Sequence, residues 1–195
     1  AVDKMILDVQ ESGIEVHLNT VVTKEMLEEI KPDALIVAIG SSPFVLPIEG
    51  SERAIVAHDV LSEKVEVPGE NVVIIGGGLV GFETAEFLAS RQKKVIILEM
   101  KEKALQDLGP LRQITAQFAM AQMPITIETS ATVERIEDHA VVASGKEYPY
   151  DSVIMAVGSK ANDTSIYTDL GIPTYIIGDC KKAGIALDAF KDAYH

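Results

Sequence analysis

Apolar residues fall along this chain in two rhythms. Residues 72–75 (Val-Val-Ile-Ile) and 95–98 (Val-Ile-Ile-Leu) are unbroken and largely β-branched. That is the composition of strands buried on both faces of a parallel sheet. Residues 33–39, 153–157 and 175–177 read as further buried strands. Helical spacing appears at Val2, Met5, Ile6 and Val9, predicting a helix over 1–11 that Gly13 ends. It appears again over 23–30, where Thr23 is the expected N-cap, Met26, Leu27 and Ile30 the buried side, and Pro32 the stop. Helices are also expected from about 79 to 90, 111 to 121 and 184 to 195. Alternation predicts a strand at 14–18. Residues 124–128 read as another. The stretches 132–136, 139–143 and 146–149 form a small antiparallel region turning at Ser144-Gly145. Strands interleaved with helices make this an α/β protein.

The run at 72–75 leads straight into Gly76-Gly77-Gly78-Leu79-Val80-Gly81, a G-x-G-x-x-G sequence between a strand and a helix. Glu99 ends the next strand 23 positions after Gly76, near the ~20 of the dinucleotide fingerprint. Gly76 allows the turn, Gly78 the approach of a pyrophosphate, and Gly81 the packing of helix on strand. The backbone N–H groups and dipole at the helix start favour phosphate. Glu99, followed by Met100, is placed to accept hydrogen bonds from ribose hydroxyls and to repel the 2′-phosphate of NADP. Lys101 and Lys103 lie close by. The same glycines also suit a βαβ turn without ligand, or an S-adenosylmethionine loop of a methyltransferase.

One strand-turn recurs. Asp33…Ala38-Ile39-Gly40-Ser41 and Asp151…Ala156-Val157-Gly158-Ser159 share Asp, Ile, Ala, Gly and Ser at equal spacing. Small residues at a strand's end let a ligand or a second backbone approach. Residues 174–180 form a third such end, closing on Gly178-Asp179, where an acid beside a helix start suits a sugar-like hydroxyl. Pro43 and Pro47 mark an extended connection, and Pro68-Gly69 a turn. Domain crossings are therefore expected at 65–71 and near Tyr150, dividing the chain into 1–64, 65–150 and 151–195.

With 30 acidic against 17 basic residues, the net charge is −13, which disfavours nucleic acid and anionic membranes as partners. An anionic cofactor must then be held by local backbone donors. No apolar run approaches the ~20 residues of a membrane span. The lone Cys180 excludes an internal disulfide and fits a reducing, cytoplasmic compartment. With no basic partner evident, it reads as a small buried residue rather than a nucleophile. His17, His58, His139 and His195 lack metal-ligand spacing.

Taken together, the strand-turn at 38–43, the fingerprint with Glu83 and Glu86, Ala156-Val157-Gly158 and the Gly178-Asp179-Cys180 end resemble the two-dinucleotide flavoprotein oxidoreductases. They are most similar to the C-terminal portion of the 2,4-dienoyl-CoA reductase, enoate reductase and trimethylamine dehydrogenase group. The resemblance implies a Rossmann-like NAD(P)-binding domain inserted in an incomplete FAD-binding α/β domain. It implies NADH on residues 76–81, Glu99 and Met100, with Glu83 near the nicotinamide and flavin rings. FAD would lie in the intact parent against Ala38, Ile39, Gly40, Ala156, Val157, Gly158, Gly178 and Asp179. FMN and a 4Fe–4S cluster are expected in an N-terminal barrel, making the rest of the parent chain a partner. One cysteine cannot supply the redox pair of the disulfide reductases. A single G-x-G-x-x-G leaves the FAD turn unaccounted for, so the chain reads as a fragment, silent alone, whose exposed strands favour self-association. A stand-alone dinucleotide-binding module is the alternative.

Overall fold

A computed structural model describes residues 2–106 and 109–194, without the Gln117 side chain; Ala1 and His195, the expected ends of two helices, lie outside them. In chain order the elements are α1 (Val2–Glu11), α2 (Lys24–Ile30), β1 (Leu35–Val37), β2 (Ser41–Pro43), β3 (Ile55–Val56), α3 (Ala57–Leu61), β4 (Asn71–Ile75), α4 (Leu79–Ala89) and β5 (Lys94–Leu98). There follow α5 (Pro110–Gln122), β6 (Ile125–Glu128), β7 (Val133–Ile136), β8 (Ala140–Ala143), β9 (Lys146–Pro149), β10 (Ser152–Met155), β11 (Ser159–Ala161), β12 (Thr174–Ile176) and α6 (Ala186–Tyr194). No helix among the described residues is long and apolar enough to cross a membrane.

Five strands form a parallel sheet in the order β3, β10, β4, β5, β6. The unbroken apolar run of β4 is explained by its two covered faces. Val72 and Ile74 pack with Phe82, Ala85 and Leu88 of α4. Val73 and Ile75 pack with Ile136, Val141 and Tyr148 of the antiparallel β7–β8–β9 meander. Ser144 and Gly145, both at positive φ (48° and 74°), turn β8 into β9, the backbone that suits the right-handed twist of a hairpin. α4 is apolar around most of its circumference because α3 covers what the sheet does not.

A smaller unit is built on β1 and β12, which pair in parallel. Its own core is Leu27, Val37, Tyr167 and Cys180. Thr23 caps α2 as expected, its hydroxyl accepting from Met26 N. Ile30 is 65% exposed rather than buried: the core reaches only Leu27, and the chain leaves the helix at Lys31 in a left-handed turn. Residues 14–18 are exposed and carry no strand. Sheet structure is stabilised by cross-strand pairs, and among the described residues this alternating segment pairs with none.

The expected crossings differ more. Ser152–Met155, assigned to the outer domain by the sequence, lies between β3 and β4 inside the five-stranded sheet, and β3 belongs to that sheet too. The two passages between the units run side by side as β2 and β11, an antiparallel pair. Buried strands of one composition serve either sheet, so the apolar pattern could not tell which sheet β10 would join.

Asp151, the acid preceding β10, has a structural task. Its Oδ2 accepts from Asn71 N at 2.8 Å, Glu70 N at 2.9 Å and Asn71 Nδ2 at 3.0 Å. These bonds, Asn71's backbone first, hold its carboxyl below the ordinary carboxylate range. A lowered folded-state value gives stability that is complete above the unfolded value of about 3.9 and fades as pH falls through the folded value. Asp151→Asn is expected to lessen the steepness of stability loss below about pH 4, read from urea midpoints against pH. An acid limb as steep as the parent's would refute this.

Candidate functional site

The site begins where β4 ends. Gly76 takes φ +110° and donates its N–H to Leu98 O at 2.9 Å. A Cβ there would stand 2.4 Å from Ala156 O, so only glycine lets β10 come so close. Gly81, in the first turn of the helix, meets the same crowding: a Cβ would lie 2.0 Å from Gly76 O. The turn and packing roles expected of these two glycines thus have direct steric causes. Gly78 opens α4 in extended backbone (φ −83°, ψ −169°) with no side-chain cap. The first-turn N–H groups of Leu79, Val80 and Gly81 therefore have no capping side chain, the condition for an anion site when a phosphate is to supply the partner.

Glu99 holds the loop from below. It is 8% exposed, its Oε2 accepting from Gly77 N at 2.7 Å and its Oε1 from Lys101 N at 2.8 Å. A carboxylate has about four acceptor positions, so capacity remains for a ribose hydroxyl. Gly77 is confined from both sides, since a Cβ would stand 2.8 Å from Glu99 Cβ, and its carbonyl accepts from Leu105 N at 2.9 Å. Met100 is 69% exposed beside the loop. Glu83 projects to solvent from α4. Arg112 of α5 pairs with Glu86 and lies 5.6 Å from the Phe82 ring centre, pinning α5 beside α4. The hydrogen bond to Glu86 raises the Arg112 guanidinium above its usual value, against the effect of burial.

A second cluster sits in the smaller unit. Asp179 Oδ2 accepts from Ser41 Oγ at 3.1 Å and its Oδ1 from Gly184 N at 3.3 Å. Asp179 lies in the 3-10 turn Gly178–Cys180, several residues before α6 rather than at its start. Cys180 is buried, its thiol against Val37 O and Ile177 O. Ala38, Ile39 and Gly40 adjoin this cluster through Ser41.

Of the residues singled out in the sequence, those at 76–81, Glu99 and Ala156 thus meet in one place. Gly40, Gly178 and Asp179 belong to the other, and Gly158 joins the passages by accepting from Phe44 N at 2.9 Å. Leu105 and Asn162 escaped notice. Leu105 follows a charged run that reads as plain loop, and its positive φ (60°) is unusual for leucine. Asn162, a polar residue after a glycine turn, carries no pattern at all.

The family profile of the Pyridine nucleotide-disulphide oxidoreductases matches residues 3–188. Cinnamate reductase of Clostridium sporogenes is 35% identical over 192 residues, an alignment covering 93% of this chain and 29% of that protein. NADH oxidase of Thermoanaerobacter brockii is 32% identical over 205 residues, covering 98% and 32% respectively. Among solved structures, a 2-naphthoyl-CoA reductase complex superposes with a TM-score of 0.85 at 31% identity, covering 97% of this chain and 30% of the other. The chain thus spans about a third of the length of the curated relatives it matches. Sequence, site geometry and fold agree that this chain belongs to the pyridine nucleotide-disulphide oxidoreductase family.

Proposed function

We propose that this chain binds NADH on the loop 76–81 and orients its nicotinamide toward an FAD held by the smaller unit and the rest of a longer parent protein. The observation that carries the reading is the glycine loop. An uncapped helix start, a backbone too crowded for side chains at Gly76, Gly77 and Gly81, and a buried acid under Gly77 together suit a pyrophosphate with a ribose beside it. NADH supplies a hydride and FAD accepts it; the protein contributes placement. Leu79, Val80 and Gly81 orient phosphate, Glu99 and Met100 border the adenosine ribose, and Glu83 stands on the helix leading toward the rings. Ala38, Ile39, Gly40, Ala156, Val157, Gly158, Gly178 and Asp179 line the approach to FAD. Asp179, with two acceptor positions taken by Ser41 and Gly184, suits a sugar-alcohol hydroxyl. The parent would pass electrons through FMN and a 4Fe–4S cluster in a barrel to an enoate, enoyl-CoA or related substrate. The units follow the strand pairing, with passages at β2 and β11.

A second reading, a dinucleotide-binding module without turnover, is favoured by the single G-x-G-x-x-G in this sequence. Calorimetric titration with NADH, FAD and S-adenosylmethionine separates both dinucleotide readings from an S-adenosylmethionine loop, and NADH oxidation by the longer parent protein separates the two: turnover there supports the first, its absence the second. The expected result is binding of NADH alone, from a colourless preparation that does not oxidise it. Tight FAD and turnover would remove the case for missing FAD-binding residues, and S-adenosylmethionine binding would overturn the family role.

The smaller unit suggests how the isolated chain behaves. β1 and β12 have only each other as strand neighbours among the described residues. An apolar cavity of about 260 Å³ opens between β1 and residues 20–22, lined by Val21, Ile36, Ile39 and Tyr167. Ile36 is 66% exposed. Covering such a face and edge against a second copy is the expected response. Light scattering should show a mass that rises with concentration, and Ile36→Lys should lower it. A monomer at every concentration would count against the idea.

A further inference from the structure

We infer that Asn162 is a positioning residue that sets the orientation of the two units. The units have separate cores, and the chain passes between them at β2 and β11. Each passage starts at a left-handed glycine, Gly40 at φ +71° and Gly158 at φ +97°, and around both the space a Cβ would occupy is empty to 4 Å. The start of each passage thus has open space beside its glycine. Hydrogen bonds hold the two passages together: the β2–β11 ladder and the Phe44 N–H to Gly158 O bond along their length, and three from Asn162 where the outgoing passage starts. Its Nδ2 donates to Ile39 O at 2.8 Å, its Oδ1 accepts from Ser42 Oγ at 2.7 Å, and its backbone N donates to Gly40 O at 3.2 Å. One side chain on the returning passage thus grips the outgoing passage on both sides of Ser41, which itself donates to Asp179.

The catalytic meaning rests on the function proposed above: hydride transfer needs the dinucleotide of one unit and the flavin of the other at a set distance and angle. The geometric claim stands without it. Aspartate keeps the acceptor toward Ser42 but loses the donor and sets a charge beside Ile39 O, whereas alanine loses both side-chain bonds.

The test places dyes on exposed positions of each unit, Glu28→Cys and Glu147→Cys, and reads single-molecule energy transfer. The concentrations used are far below any self-association, and Cys180 is shielded by burial. The parent should give one narrow population. Asn162→Ala should broaden or shift it while leaving NADH affinity within twofold, and Ser42→Ala should give a smaller change. A role in fold stability alone would lower the melting temperature and leave the dye distance as it was. An unchanged population in Asn162→Ala overturns the inference; if that variant does not fold, an unchanged population in Asn162→Asp does so. Failure of the parent to bind NADH would sink the functional reading while leaving the dye result interpretable.

Discussion

Gly81→Val is expected to unfold the larger unit, whereas Gly78→Val is expected to leave it folded and abolish NADH binding. At Gly81 even a Cβ would meet Gly76 O at 2.0 Å. Valine adds two more carbons where helix, loop and β10 already touch. Overpacking costs typically 1–3 kcal/mol and more where backbone must move, so a loss above about 3 kcal/mol is expected against a total of roughly 5–15. Gly78 is different. Its backbone is extended, open to any residue, and the cost is that of a poor helix cap, about 1 kcal/mol. The valine would instead fill the space of the pyrophosphate. An affinity loss of more than about 100-fold, or ~2.7 kcal/mol, should follow. Urea melts and calorimetry on the two variants decide it: equal stability losses, or retained NADH binding in Gly78→Val, would break the division of roles.

Glu99→Ala is expected to damage the fold and the cofactor site together. The carboxylate is the partner of two backbone N–H groups, Gly77 and Lys101. The Gly77 N–H is buried and costs about 1–3 kcal/mol if left unsatisfied, whereas Lys101 is exposed and water can take the carboxylate's place, so roughly 1–3 kcal/mol is at stake and the loop loses its floor. For that reason cofactor preference is better read on the parent protein. NADH should bind more tightly than NADPH by about 1–3 kcal/mol, a factor of roughly 5 to 150, because a 2′-phosphate would approach the Glu99 carboxylate. Equal affinities would leave Glu99 a loop support only. Glu99→Gln, whose amide can satisfy one N–H but faces the other with a donor, should lose part of the stability and narrow the preference.

The fingerprint was legible because its parts are constrained twice over. β4 and β5 are buried on both faces and so lack the polar alternation that hides other strands. Gly76 and Gly81 stand where backbone contacts backbone, a need no other residue meets. The meander was legible from Ser144-Gly145, whose left-handed turn leaves few alternatives. Residues 14–18 and Ile30 misled for a common reason. Apolar spacing reports which side chains could share a face, but not whether a partner surface is present, and the smaller unit offers little. The crossings at β2 and β11 were hidden because sheet membership is a long-range property: β10 shares with β1 a central Ile and the flanking Asp, Ala, Gly and Ser, and still joins a different sheet. Asn162 was invisible because its three bonds end on Ile39, Gly40 and Ser42, about 120 positions away.

The place of β10 between β3 and β4 sets the order in which this protein can assemble during synthesis. Ser152 pairs with Val72, 80 residues earlier. At 5–20 residues per second, β4 waits roughly 4–16 s on the ribosome before the strand that covers its open edge is made. Until then β4, β5 and β6 can associate on one side only, and the nascent chain presents an apolar β-branched edge, a template for pairing with other chains. Loop closure over that span also makes folding slow relative to a protein of local contacts. Aggregation during overexpression should therefore ease when translation and folding are slowed together at low temperature, or when a chaperone holds the chain until residue 155 has emerged.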